Sequence, residues 1–211
     1  MIILKKLDRL KNKVKFDKSL VIFLLVLGIV GLVSGAFFVT VLNNTDTELV
    51  KNHLQNFVNN IENGNLDYLY VFKNNIFTNL FYVLIIWLLG ISVIGLPILV
   101  IIYFSKTFIL GFSIGSIISV YKLKGILFSI VYVFPGQVFN LIAIFILTMY
   151  SISFSIKLIY AVFRKKTIDF KFLINKYMLI LVICAGVIIL TSLYDTFLMP
   201  RLVSLLVPFI K

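Results

Sequence analysis

Long apolar runs alternate with short polar segments along the chain, which is the pattern of a protein that crosses a membrane several times. A crossing helix needs about 20 apolar residues. Runs of at least that length cover residues 20–42, 77–104, 136–163 and 172–194. Each of these runs predicts a membrane-spanning helix.

An interrupted apolar region lies between the second and third of these runs. Lys122 and Lys124 divide it, and Pro135 breaks it again. Irregular backbone survives at membrane depth only where protein or a water-filled cavity satisfies its polar groups. We therefore predict a short third span over 107–121 and a re-entrant half-helix over 125–135, which makes five crossings in all.

Residues 43–76 form the one sizeable polar segment, in which acidic residues outnumber basic ones. Apolar residues recur there every three or four positions, which predicts an amphipathic helix of about sixteen residues. Such a helix either lies on the membrane surface or docks a partner protein. The candidate docking residues are its apolar face and the turn after the third span: Leu49, Leu54, Phe57, Ile61, Lys122 and Lys124.

Small residues and proline mark the expected contacts and bends of the spans. Gly95 and Pro97 predict a kink in the second span, because proline removes a helical hydrogen bond. Gly31 and Gly35 in the first span permit close helix contact. The full set of candidate packing and re-entrant residues is Trp87, Gly90, Gly95, Pro97, Gly111, Gly115, Pro135, Gly136, Gln137 and Asn140.

A polar stripe runs along one face of the fourth span and consists of Gln137, Asn140, Thr148, Ser151 and Ser155. Polar side chains in a membrane helix point at protein or water. The expected partner is the small-residue face of the third span, with Gly111 and Gly115. Structural packing is the favoured interpretation of the stripe, and a path for a solute stays open.

The distribution of basic residues orients the chain. The tail 1–19, Lys106 and the loop 164–171 hold most of the 20 lysines and arginines when the N-terminus is placed in the cytoplasm. This agrees with the excess of positive charge on the cytoplasmic side of membrane proteins. A four-span arrangement would put the loop 164–171 outside and is disfavoured. The tail 195–211 is predicted to lie along the outer surface.

Composition excludes several classes of protein. A chain with 61% hydrophobic residues and mean hydropathy +1.11 has too much apolar surface for a soluble domain. The net charge of +12 reflects cytoplasmic loops rather than nucleic-acid binding. Cys184 and His53 are the only residues of their types, so we expect no disulfide, metal site or cofactor. No nucleophile is paired with a base, and no carboxylate pair is expected within the spans, so we expect no enzyme. No acidic residue is expected to be buried in a span, which argues against a path for a solute.

Several motifs follow one another along the chain: Trp87-x-x-Gly90, Gly95-x-Pro97, Lys106, Gly111-Phe-x-x-Gly115, Lys124-Gly125 and Pro135-x-Gln137. Their order and spacing resemble the stage II sporulation protein M family from about residue 20 to 159. The wider superfamily carries a Pro-His-Gly-x-x-Glu pattern, whereas this chain has Gly136 for the histidine and Asn140 for the glutamate. The resemblance therefore implies no ionisable pair at these two positions.

This resemblance implies a role in engulfment during endospore formation. It implies a multi-span subunit of the cell membrane that anchors two wall hydrolases, stage II sporulation proteins D and P, at the septal and engulfing membrane without catalysing a reaction. The alternative is a small-solute transporter or channel that uses the broken helices and the polar stripe. A third interpretation is a membrane protein whose broken segment only supports packing. Homo-oligomerisation stays open in each case.

Overall fold

The computed structural model describes residues 18–164 and 170–210. Most of the basic tail 1–19 and of the basic loop 164–171 lies outside the described residues. The described chain is almost entirely helical and contains no strand. The helices are α1 (Lys18–Phe38), α2 (Asn44–Glu62), α3 (Tyr68–Ile91), α4 (Gly95–Val133), α5 (Gly136–Arg164), α6 (Phe170–Leu193) and α7 (Met199–Ile210).

Within the described residues, five helical segments are long and apolar enough to cross a membrane, which confirms the predicted all-α polytopic architecture. Helices cover the predicted runs 20–42, 136–163 and 172–194 closely. Large apolar side chains are exposed on the outside of the bundle, as on Val33 and Val182. This is the surface expected of helices that face lipid.

Glycines bring α1 and α4 into close contact. Gly35 lies against the backbone of Phe108, and Gly111 lies against the backbone of Leu32. A Cβ atom on Gly115 would approach the Ala36 carbonyl oxygen to 2.8 Å. The close contact allowed by the small residues of α1 is confirmed. The predicted pairing of the Gly111 and Gly115 face with the polar stripe of the fourth span is wrong, because α1 occupies that face.

The predicted second span 77–104 is also wrong, since it merges parts of two helices. The helix α3 ends at Ile91, and α4 begins at Gly95. The bend is tight because Gly95 packs on the carbonyl group of Leu89. Pro97 lies in the first turn of α4, where its missing N–H costs no intrahelical hydrogen bond. Proline thus helps to start a helix here and does not kink one.

The helix α4 consists of two arms that meet at Lys122. Lys122 has φ 51° and ψ −129°, which lies outside the helical region. After it the chain folds back, so that a Cβ on Gly125 would lie 2.6 Å from the Ile117 carbonyl oxygen. The first arm begins at Gly95, which makes it much longer than the predicted span 107–121. Residues 123–133 form the second arm, and its depth in the bilayer stays a prediction.

A platform of three short helical segments covers one end of the bundle. It consists of α2, the second arm of α4 (residues 123–133) and α7. Their buried residues form a cluster separate from the main core, and this cluster also includes Ile117 of the first arm of α4. The platform members of the cluster are Val58, Ile61, Phe128, Met199, Val203 and Val207. The predicted amphipathic helix is therefore present as α2, and α7, which belongs to the predicted tail, packs against it. The position of the tail along the outer surface stays a prediction.

A polar centre beneath the platform

An acidic side chain lies buried where α6 meets α7. The two helices are joined by a π-helical turn, Tyr194–Leu198. Within it Asp195 is 5% exposed. The expectation that no acidic residue is buried in a span is therefore wrong. The sequence shows Asp195 at the end of an apolar run, but only the folded chain shows that α7 covers it.

The Asp195 carboxylate packs against the first residues of α5, directly after Pro135. The Gln137 Nε2 atom donates a hydrogen bond to the Asp195 Oδ2 atom at 3.0 Å. Gly136 has no side chain where a Cβ atom would overlap the carboxylate. A negative charge is also favoured near the N-terminus of a helix by the helix dipole. The Pro135-Gly136 break thus provides the space for Asp195.

A half-buried lysine on α4 adds a positive charge to this region. Lys106 is about halfway along the first arm of α4, and its Nζ atom donates to the Asn79 Oδ1 atom at 3.2 Å. The same Nζ atom is 4.6 Å from the centre of the Tyr82 ring. The charges of Lys106 and Asp195 interact favourably. The prediction that grouped Lys106 with the basic residues at cytoplasmic span ends is wrong, because α4 begins at Gly95 and Lys106 lies well inside it.

The polar stripe of α5 points into protein, as predicted. Asn140, Thr148, Ser151 and Ser155 are all buried. Ser155 donates to the carbonyl oxygens of Gly90 at 2.6 Å and Ser92 at 3.1 Å, which satisfies backbone groups at the end of α3. Neither polar atom of the Asn140 side chain has a hydrogen-bond partner among the described residues.

Trp87 and Gly90 join three helices. The Tyr177 hydroxyl donates to the Trp87 carbonyl oxygen at 2.8 Å and lies 2.7 Å from the Ser151 Oγ atom. A Cβ atom on Gly90 would overlap Tyr177 and Ser151. The role of these two residues in the described structure is therefore packing of α3 against α5 and α6.

Only part of the predicted docking surface is accessible. Ile61 is buried, and Leu54 and Phe57 pack on the platform cluster. By contrast, Leu49 is 57% exposed, and Lys122 and Lys124 are exposed at the turn between the two arms of α4. The sequence could not show that α7 and the second arm cover the apolar face of α2.

A cleft of about 170 Å³ lies between the platform and the polar centre. Asp195 and Gln137 line it together with residues of α2, α3, the second arm and α7. Its remaining lining residues are Phe57, Leu66, Tyr68, Val71, Asn75, Tyr132, Thr196, Met199 and Pro200. Among the described residues, no three or more His, Cys, Asp or Glu side chains are grouped in a way that could hold a metal ion.

Sequence reasoning missed Asn79, Lys106 and Asp195 as members of one centre. A signal was present, since each of them interrupts an otherwise apolar region, and ionisable residues within membrane spans are usually functional. Hydropathy alone placed Lys106 and Asp195 at span ends, because it did not locate the break between α3 and α4 or the fold of α7.

These features define a polytopic α-helical membrane protein with a polar centre under a platform at one end. The family model for stage II sporulation protein M matches residues 21–200. The chain belongs to this family and is a sporulation-related membrane protein. Comparison with the curated proteins and with the solved structures gives no match.

Proposed function

We propose that this protein is a non-catalytic scaffold that anchors wall hydrolases, namely stage II sporulation proteins D and P, at the septal and engulfing membrane. Membership of the family supports the process. The platform supports the mode of action, because it is a folded surface outside the main helical core. In this proposal the N-terminus is cytoplasmic and the platform faces outward, toward the wall.

The exposed turn of α4 is the observation that carries this proposal. Leu123 is 82% exposed at the point where the two arms meet, and a lysine stands on each side of it. An apolar side chain between two positive charges fits a partner surface that has an apolar pocket with an acidic rim. Lys122, Leu123 and Lys124 form what we call the tip.

Co-purification from sporulating cells tests the scaffold. The double variant Leu123→Asp with Lys124→Glu is expected to release the wall hydrolases without lowering the amount of this protein in the membrane. Ile94→Asp is the matched control, because Ile94 is 80% exposed at the opposite end of α4. Full recovery of the hydrolases with the tip variant would contradict docking at the tip, and their absence from the wild-type complex would contradict the scaffold itself.

The second candidate function, transport of a small solute, is supported by the polar centre. Lys106 and Asp195 interact inside an apolar bundle, and Asn140 is 1% exposed with no hydrogen-bond partner among the described residues. Buried ionisable residues commonly mark solute paths in membranes. In liposomes, a transporter would move solute and lose that flux with Asn140→Leu, whereas a scaffold would move none.

A further inference from the structure

Two lysines line one small groove between α5 and α6, at the end of the bundle away from the platform. Lys157 belongs to α5 and Lys176 to α6, and their positive charges repel each other. Among the described residues, no acidic side chain lines this groove. Like charges held close together without a counter-charge are unfavourable. A bound anion would remove that cost.

The groove lies near the depth at which lipid headgroups meet the spans. Lys157 lies about two turns before the end of α5, and Lys176 lies about two turns after the start of α6. Both helices belong to segments that are long and apolar enough to cross a membrane. Lysine side chains near the end of a span extend toward the headgroups. The groove is therefore within reach of a lipid headgroup.

The groove offers accessible hydrogen-bond donors. Lys157 is exposed, and Lys176 and Ser153 are half-buried. Each ammonium group has three N–H donors, and the Ser153 hydroxyl adds an O–H donor. The Lys176 Nζ atom is 5.4 Å from the centre of the Tyr150 ring, which holds this side chain in place. The groove has a volume of about 30 Å³, which is about the share of one water molecule. It can therefore admit one oxygen atom of a larger anion, while the rest of the anion lies over Lys157.

The sequence around the groove is strongly basic. Residues 157–176 contain six lysines and arginines and one acid, Asp169. Asp169 lies outside the described residues. Basic segments beside a span attract anionic lipids, and basic pockets between spans bind their phosphate-bearing headgroups. The charge of this end of the chain therefore favours an anionic lipid.

We propose that the groove binds the phosphate group of an anionic phospholipid. The phosphate would accept hydrogen bonds from Lys157, Lys176 and Ser153, and the acyl chains would lie along the apolar outer surface of α5 and α6. A lipid suits the groove better than free phosphate, because the groove lies between two spans that are themselves surrounded by acyl chains. This site is independent of the scaffold proposal.

Native mass spectrometry of the purified full chain in detergent tests the site. Phosphatidylglycerol would be titrated against phosphatidylcholine with the same acyl chains, and the wild type should retain phosphatidylglycerol about tenfold more tightly or better. One lysine near an anionic headgroup contributes about fivefold in affinity. The double variant Lys157→Gln with Lys176→Gln should therefore bind phosphatidylglycerol about twentyfold more weakly, with little change for phosphatidylcholine.

Two further variants separate a specific site from a general effect of charge. Lys122→Gln with Lys124→Gln removes the same charge from exposed positions at the opposite end of the bundle and should leave the affinity unchanged. Lys157→Arg with Lys176→Arg keeps the charge and should keep binding. Equal weakening by the two glutamine pairs would overturn the proposal, as would equal retention of the two lipids by the wild type.

The source of the phosphate is tested by competition. Millimolar sn-glycerol 3-phosphate should not displace phosphatidylglycerol from the wild type, because it lacks the acyl chains that hold the lipid against the spans. Displacement by this soluble phosphate would overturn the lipid as the ligand of the groove.

Discussion

Gly136 illustrates how one residue shapes the polar centre, since the space of its missing side chain is filled by the Asp195 carboxylate. We expect Gly136→Ala to destabilise the protein by about 2 kcal/mol, because overpacking a filled site forces neighbouring groups to move. Thermal unfolding of the purified protein in one detergent would measure the change.

Gly186→Ala is the matched control, because a Cβ atom at Gly186 meets nothing within 4 Å. Alanine is favoured over glycine inside a helix by about 1 kcal/mol, so this variant should be as stable as the wild type or more so. If Gly136→Ala unfolded at the same temperature as Gly186→Ala, the contact between Gly136 and Asp195 would be contradicted.

The polar stripe shows what can be predicted about single residues. Helical periodicity placed Asn140, Ser151 and Ser155 on one face, and the requirement to shelter polar groups predicted that this face meets protein. Both statements are confirmed. The partners could not be predicted, because periodicity defines a face of one helix and carries no information about which helix covers it.

The presence of each long helix was easier to predict than the residues at which it begins and ends. An apolar run of sufficient length must be a helix in lipid, since each backbone group needs a partner. The run 77–104 nevertheless belongs to two helices, because the residues at the break between α3 and α4 include Val93 and Ile94, which are themselves apolar. Hydropathy does not change at such a bend.

The helix α7 offers a test of the platform as a packed unit. Val203 is fully buried in the platform cluster, whereas Leu205 on the same helix is 69% exposed. Val203→Asn would place an amide among apolar side chains, so we expect a loss of about 2–3 kcal/mol. The loss would appear as faster proteolysis within α2 and α7.

The control for this prediction is Leu205→Asn, which changes an exposed position of the same helix and should alter proteolysis little. Similar proteolysis of the two variants would contradict the packing of α7 on α2 and the second arm. Faster cleavage confined to the Val203→Asn variant would support the platform, whichever partner it binds.

At the scale of the whole molecule, the five-span architecture could be predicted but the platform could not. Long apolar runs require lipid as their solvent, so hydropathy determines the class of fold. The platform instead depends on contacts between α2, residues 123–133 and α7, which are far apart in sequence. The sequence of each short element does not indicate which other element it packs against. The burial of Leu54, Phe57 and Ile61 was therefore not predicted.

Accessibility of single cysteines would test this arrangement and its orientation together. The native thiol is buried, with Cys184 2% exposed, and Cys184→Ser provides the background. Gln55→Cys and Leu123→Cys lie on exposed parts of the platform, and Ile94→Cys lies at the opposite end of α4. With an impermeant maleimide on intact cells, the two platform cysteines should react. Ile94→Cys should react only after the membrane is opened.

The pattern of labelling separates the fold from its orientation. Equal reactivity of the Gln55→Cys and Leu123→Cys variants follows from the platform, because α2 and the tip lie at one end of the bundle. If only Ile94→Cys were labelled on intact cells, the platform would still be supported, but its orientation in the membrane would be the reverse of the one proposed. The platform would then not face the wall, which would contradict the scaffold proposal. If one of the two platform cysteines were labelled on intact cells and the other were not, the fold would be contradicted. The tip and α2 would then lie on opposite sides of the membrane.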